Sequence, residues 1–95
     1  MRVETRAKGI CVYIIQCSDG TLYTGWTTDL RERLKAHNAG SGAKYTRGRT
    51  PVTLLYAEPA ETRGKALQRE CQIKKMTRKQ KLGLAAWDSR QNQTE

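Results

Sequence analysis

Ninety-five residues provide for one domain and one modest core, since only 37% of them are hydrophobic, Phe is absent and the mean hydropathy is -0.78. Eighteen Lys and Arg against nine Asp and Glu leave a net charge of +9, which favours a polyanionic partner, most often nucleic acid. No apolar run reaches membrane-spanning length and no signal or lipidation motif is visible, so a cytoplasmic setting without a membrane partner is expected.

In chain order, ICVYIIQC (10–17) is β-branched and aromatic, a strand apolar on both faces. Ser18-Asp19-Gly20 signals a turn, and TLYTGWT (21–27) returns as the second strand of a hairpin. Asp29 then predicts a helix N-cap, with Glu32 at capping-box spacing, a Leu30/Leu34 stripe and a stop at Asn38-Ala39-Gly40. SGAKYTRGRTP (41–51) reads as a basic loop, and VTLLYA (52–57) as a third strand ended by Pro59. Thr62 starts a helix over 63–76, and a short helix runs from Thr77 to Trp87. The stretch 63–81 holds eight positive residues and one negative. The polar end, 88–95, is expected to be a disordered tail. Cys11, Cys17 and Cys71 have no disulfide or zinc spacing and read as free, mostly buried thiols.

The order β-β-α-β-α-α predicts a single α+β domain spanning 1–95, a three-stranded antiparallel sheet flanked by helices. Three features exceed that scaffold. A three-residue turn with Gly20 at positive φ would pair Cys17 with Thr21, Ile15 with Tyr23 and Tyr13 with Gly25. Both tyrosines then share one sheet face, and Gly25 leaves a hollow beside the Tyr13 ring; a two-residue turn would put the tyrosines on opposite faces. Arg33 and His37 are i,i+4 neighbours at the flank of the Leu30/Leu34 stripe, where a side chain can reach into a groove, although helix geometry alone favours a snorkelling arginine and a surface histidine. Glu70 falls within the apolar arc of Ala66, Leu67, Cys71 and Ile73. A carboxylate there needs either an ion-pair partner or a divalent metal.

Tyr13, the triplet Tyr23-Thr24-Gly25, Arg33 and His37 on the next helix and Glu70 on a later one together resemble the pattern of the GIY-YIG nucleases, which include the N-terminal nuclease domain of UvrC and phage homing endonucleases. The resemblance covers residues 9–84, and the strings TDLRERLKAH, GAKYTRGRTPVTLLYAE and ALQRECQIKKMTRKQK are most similar to the small stand-alone bacterial branch. The first triplet here is Cys11-Val12-Tyr13, Thr24 replaces the isoleucine of the family name, and a single domain without an appended DNA-binding domain is expected.

The resemblance implies metal-dependent hydrolysis of phosphodiester bonds in DNA, structure-selective or weakly selective. Tyr13 would be the general base, although a phenol of pKa ~10 needs positive charge nearby to ionise. Tyr23 would assist or position, Arg33 would hold the scissile phosphate, and His37 would assist proton transfer or orient Tyr13. Glu70 would ligate a single Mg²⁺ or Mn²⁺. Lys44, Arg47, Arg49, Lys74 and Lys75 could then follow the nucleic-acid backbone while Tyr45 stacks on an unpaired base. A protein partner could supply targeting. The competing readings are a non-catalytic nucleic-acid-binding module with the same fold and a basic protein bound to ribosomal RNA. Neither requires the inward carboxylate.

Overall fold

The computed structural model describes residues 8–93, with β1 at Lys8–Gln16, β2 at Leu22–Asp29, α1 at Leu30–Asn38, β3 at Thr53–Pro59, α2 at Arg63–Lys74 and α3 at Arg78–Gln93. The antiparallel sheet has the order β2-β1-β3, so the apolar run of β1 is the central strand. That position explains why β1 is apolar at successive residues rather than alternately. Its odd-numbered side chains, Cys11, Tyr13 and Ile15, pack with Leu30 and Leu34 of α1, Val52 and Ala57. Its even-numbered ones, Val12 and Ile14, pack on the other face with Ala66 and Ile73 of α2 and with Leu84 of α3. The molecule is thus a sheet between two helical layers, α1 and the basic loop on one side and α2 with α3 on the other. Among the described residues no helix is long and apolar enough to cross a membrane.

The hairpin has the expected three-residue register. Tyr13 pairs with Gly25 and Ile15 with Tyr23, the Cys17 N–H donates to the Thr21 carbonyl at 2.8 Å, and Gly20 has φ +86°. Asp29 caps α1 by accepting from the Glu32 N–H at 3.2 Å. Glu32 does not close the capping box; its carboxylate pairs with Lys35, and the Asp29 N–H donates to Thr27 Oγ1 instead.

Two expectations about the later helices need correction. On α2 the buried seam is Ala66 and Ile73, whereas Leu67 and Cys71 face solvent. The helix is turned because Arg69, on one flank of that seam, donates its Nε–H to Glu58 of β3 at 2.9 Å. Glu58 also accepts from the Tyr56 hydroxyl at 2.6 Å, which locks β3 to α2. The second correction concerns the tail, since α3 continues through residues 88–93 to Gln93. This segment lacks Gly and Pro, and Arg90, Gln91 and Gln93 favour helix continuation. Residues 94 and 95 lie outside the described chain.

Candidate active site

On the α1 face, Tyr13 reaches across from the central strand and its hydroxyl lies 2.9 Å from His37 Nε2. The Arg33 Nε–H donates to the same oxygen at 3.4 Å. The i,i+4 spacing of α1 places both partners on one flank, and β1 supplies the tyrosine because it runs directly beneath. Tyr23 meets the His37 ring edge-on at 5.5 Å between centroids. Tyr13, Tyr23, Arg33 and His37 are therefore gathered as the sequence suggested.

The surroundings differ from the expectation in one decisive respect. Tyr13 is wholly buried, and Tyr23 is half-buried. Burial pushes the Tyr13 hydroxyl above its ordinary pKa and outweighs the hydrogen bond and charge of Arg33, which act the other way. A phenol that is buried, neutral and already bonded is a poor general base for a water molecule. Burial and the Arg33 charge also hold the His37 pKa below its ordinary value, which favours the neutral imidazole.

Gly25 takes a different role as well. A Cβ there would lie 2.7 Å from Tyr13 Oη and 3.2 Å from Tyr23 Cε2. The missing side chain makes room for the tyrosine hydroxyl itself, not a hollow for a ligand.

The basic loop seals the site. His37 Nδ1 lies 2.8 Å from Thr46 Oγ1, and the fully buried Thr46 hydroxyl donates to the Ala43 carbonyl at 3.0 Å. Gly42 lets the loop cross His37, because a Cβ at that position would come within 2.5 Å of Nδ1. Neither residue is visible to periodicity or to charge. A useful signal would have been the need of the sole histidine, beside an arginine, for a second polar partner. Tyr45 stacks on Tyr23 with ring centroids 5.7 Å apart, and Arg49 lies over the Tyr45 ring at 4.5 Å. Arg49 also donates to the Tyr45 carbonyl and pairs with Asp19. It fastens the loop to the hairpin turn rather than standing ready for a phosphate. Lys44, Arg47 and Lys75 are exposed.

Glu70 is on α2 and hence on the opposite sheet face from the tyrosines. Its carboxylate is mostly covered, 14% exposed, and lies 3.3 Å from Lys74 Nζ, so both Lys74 and Glu70 are engaged with each other. Arg69 and Glu70 flank the Ala66/Ile73 seam on opposite sides. Arg69 turns to β3, while Arg63, two turns before Glu70 on the other flank, lies over the Trp26 ring of β2, so Glu70 is on the β2 side of the helix. Among the described residues no group of three or more His, Cys, Asp or Glu side chains could enclose a metal. A lone hard carboxylate suits Mg²⁺ or Mn²⁺, which retain most of their waters, and does not suit zinc.

This fold has known counterparts. Residues 9–83 match the GIY-YIG catalytic domain, and the chain belongs to the GIY-YIG family, whose fold is of the nuclease type. Its relatives include small single-domain proteins. The chain is 58% identical over 73 residues to a UPF0213 protein of Halobacterium salinarum, covering 77% of this chain and 95% of that one. It is 60% identical over 73 residues to a UPF0213 protein of Clostridium perfringens, covering 77% and 78% of the two chains. The solution NMR structure of a UPF0213 protein from Bacillus halodurans is similar at 41% identity and a TM-score of 0.53, over 82% of this chain and 83% of that one. That of a protein from E. faecalis is similar at 45% identity and a TM-score of 0.56, over 80% and 81%.

Proposed function

We propose that the protein is a metal-dependent nuclease that hydrolyses phosphodiester bonds in DNA. The observation that carries this reading is Arg33. Its Nε is anchored on a buried tyrosine, yet among the described residues it has no carboxylate partner. A half-buried guanidinium so fixed calls for an anion from outside, and its remaining N–H groups match the oxygens of a phosphate.

Arg33 would hold the scissile phosphate and offset charge building on its oxygens. Half-buried Tyr23, not Tyr13, is the phenol that meets solvent, and it takes the place beside the attacking water. Tyr13 keeps Arg33 in position. Glu70 would hold a hydrated Mg²⁺ or Mn²⁺, releasing Lys74, and the ion when bound would neutralise the departing 3′ oxygen. Arg33 and Glu70 approach from opposite faces, so the substrate backbone must straddle the outer edge of β2. Lys44, Arg47 and Lys75 add phosphate contacts on either side.

The test is cleavage of plasmid, single-stranded, flapped and branched DNA, and of RNA, with Mg²⁺ or Mn²⁺ and with EDTA, beside Glu70→Ala. Cleavage of DNA that stops with EDTA and with Glu70→Ala is the expected result. Salt-sensitive binding with no cleavage on any substrate would replace this reading by a non-catalytic binding module.

A further inference from the structure

We propose that Thr46 is a positioning residue that acts on Arg33 through His37 and Tyr13, by fixing which ring nitrogen of His37 carries the proton. The catalytic consequence rests on the nuclease reading above; the proton arrangement does not.

Four contacts form one chain, Arg33 Nε to Tyr13 Oη, Tyr13 Oη to His37 Nε2, His37 Nδ1 to Thr46 Oγ1 and Thr46 Oγ1 to the Ala43 carbonyl. Its two ends fix its direction. A carbonyl can only accept, so the single Thr46 hydroxyl hydrogen points to Ala43 and the Thr46 oxygen accepts from Nδ1–H. His37 Nε2 then carries a lone pair and accepts the Tyr13 hydroxyl hydrogen. A guanidinium can only donate, and the freed lone pair of Tyr13 Oη receives the Arg33 Nε–H. Every hydrogen has one acceptor.

The reverse direction fails at both ends. If Thr46 donated to Nδ1, two oxygens would face each other 3.0 Å apart at Ala43 with no hydrogen between them. Nε2–H and Arg33 Nε–H would both point at Tyr13 Oη, and the tyrosine hydroxyl hydrogen would be unpaired in a fully buried place. Thr46, Tyr13 and His37 are each shut off from solvent, so bulk water does not reach them to supply a substitute partner. A loop hydroxyl therefore decides how the guanidinium on α1 is presented, two side chains away. Gly42 keeps the loop close enough to do so.

The chain contains one histidine, so ¹⁵N NMR of its ring reads the arrangement without ambiguity. At neutral pH the proton is expected on Nδ1 in the wild type and in Thr46→Ser. Thr46→Val, which keeps the shape and removes the hydroxyl, is expected to move population to Nε2–H and to shift the Arg33 Nε–H resonance. On a DNA substrate, Thr46→Val should lower kcat by about tenfold to a hundredfold with KM little changed, and Thr46→Ser should restore it. A wild-type proton on Nε2 would overturn the proposal. So would a Thr46→Val protein, folded by its amide spectrum, with the His37 and Arg33 signals of the wild type. If the wild type cleaves nothing, the nuclease reading falls, while the two NMR signals still decide the role of Thr46.

Discussion

Tyr13 is subject to two opposed influences, burial that favours the neutral phenol and Arg33 that favours phenolate, and burial is the larger. On the reading proposed above, the tyrosine serves as a link between His37 and Arg33 rather than as the base that its place in the motif suggested. Tyr13→Phe strands one acceptor and one donor, and is expected to cost about 1 to 3 kcal/mol in urea unfolding while leaving measurable cleavage. Tyr23→Phe should fold normally and lose cleavage. The opposite ranking in single-turnover assays would return the base role to Tyr13. His37 gives a second prediction at this scale. Its folded pKa lies below the ordinary 6.5, so the unfolded chain takes up the proton first as pH falls. The stability that His37 contributes is complete above pH 6.5 and is lost as pH falls through the folded pKa. Urea midpoints measured across that range should fall more steeply for the wild type than for His37→Gln. Parallel curves would contradict the assignment.

Among the elements, what the sequence revealed and what it hid divide along physical lines. The hairpin register was legible because a turn glycine and a period of two leave only two choices, and one of them separates the tyrosines. Arg33 and His37 were legible because α1 has a short, unambiguous stripe. The face of α2 was not, because Leu67 and Cys71 are as apolar as the seam they were expected to join. An ion pair to Glu58, distant in sequence, turns the helix away from them. Thr46 and Gly42 lie in a loop without a period, and only the folded chain brings them to His37. Gly25 was legible as a special position but for the wrong occupant. Gly25→Ala forces a methyl against the Tyr13 hydroxyl and the Tyr23 ring, and should destabilise by about 1 to 3 kcal/mol as overpacking does. An unfolding midpoint equal to that of the wild type would show that the hydroxyl is not held there.

At the scale of the whole molecule, the +9 charge, the covered Glu70 and Arg33, which has no carboxylate partner among the described residues, are on the proposed reading one problem, the reception of a polyanion at the β2 edge of a sheet sandwiched between helices. Charge alone would serve binding as well as catalysis. Arg33 separates the two, because a single guanidinium among many cations adds little to binding but much to a transition state if it sits on the scissile phosphate. The decisive measurement is therefore single-turnover cleavage of a DNA substrate by Arg33→Ala, with the Kd measured in parallel. A cleavage rate lower by about a hundredfold to a thousandfold, with Kd changed only a few-fold, is the predicted result. Cleavage at the wild-type rate, or a loss wholly explained by weaker binding, would contradict it.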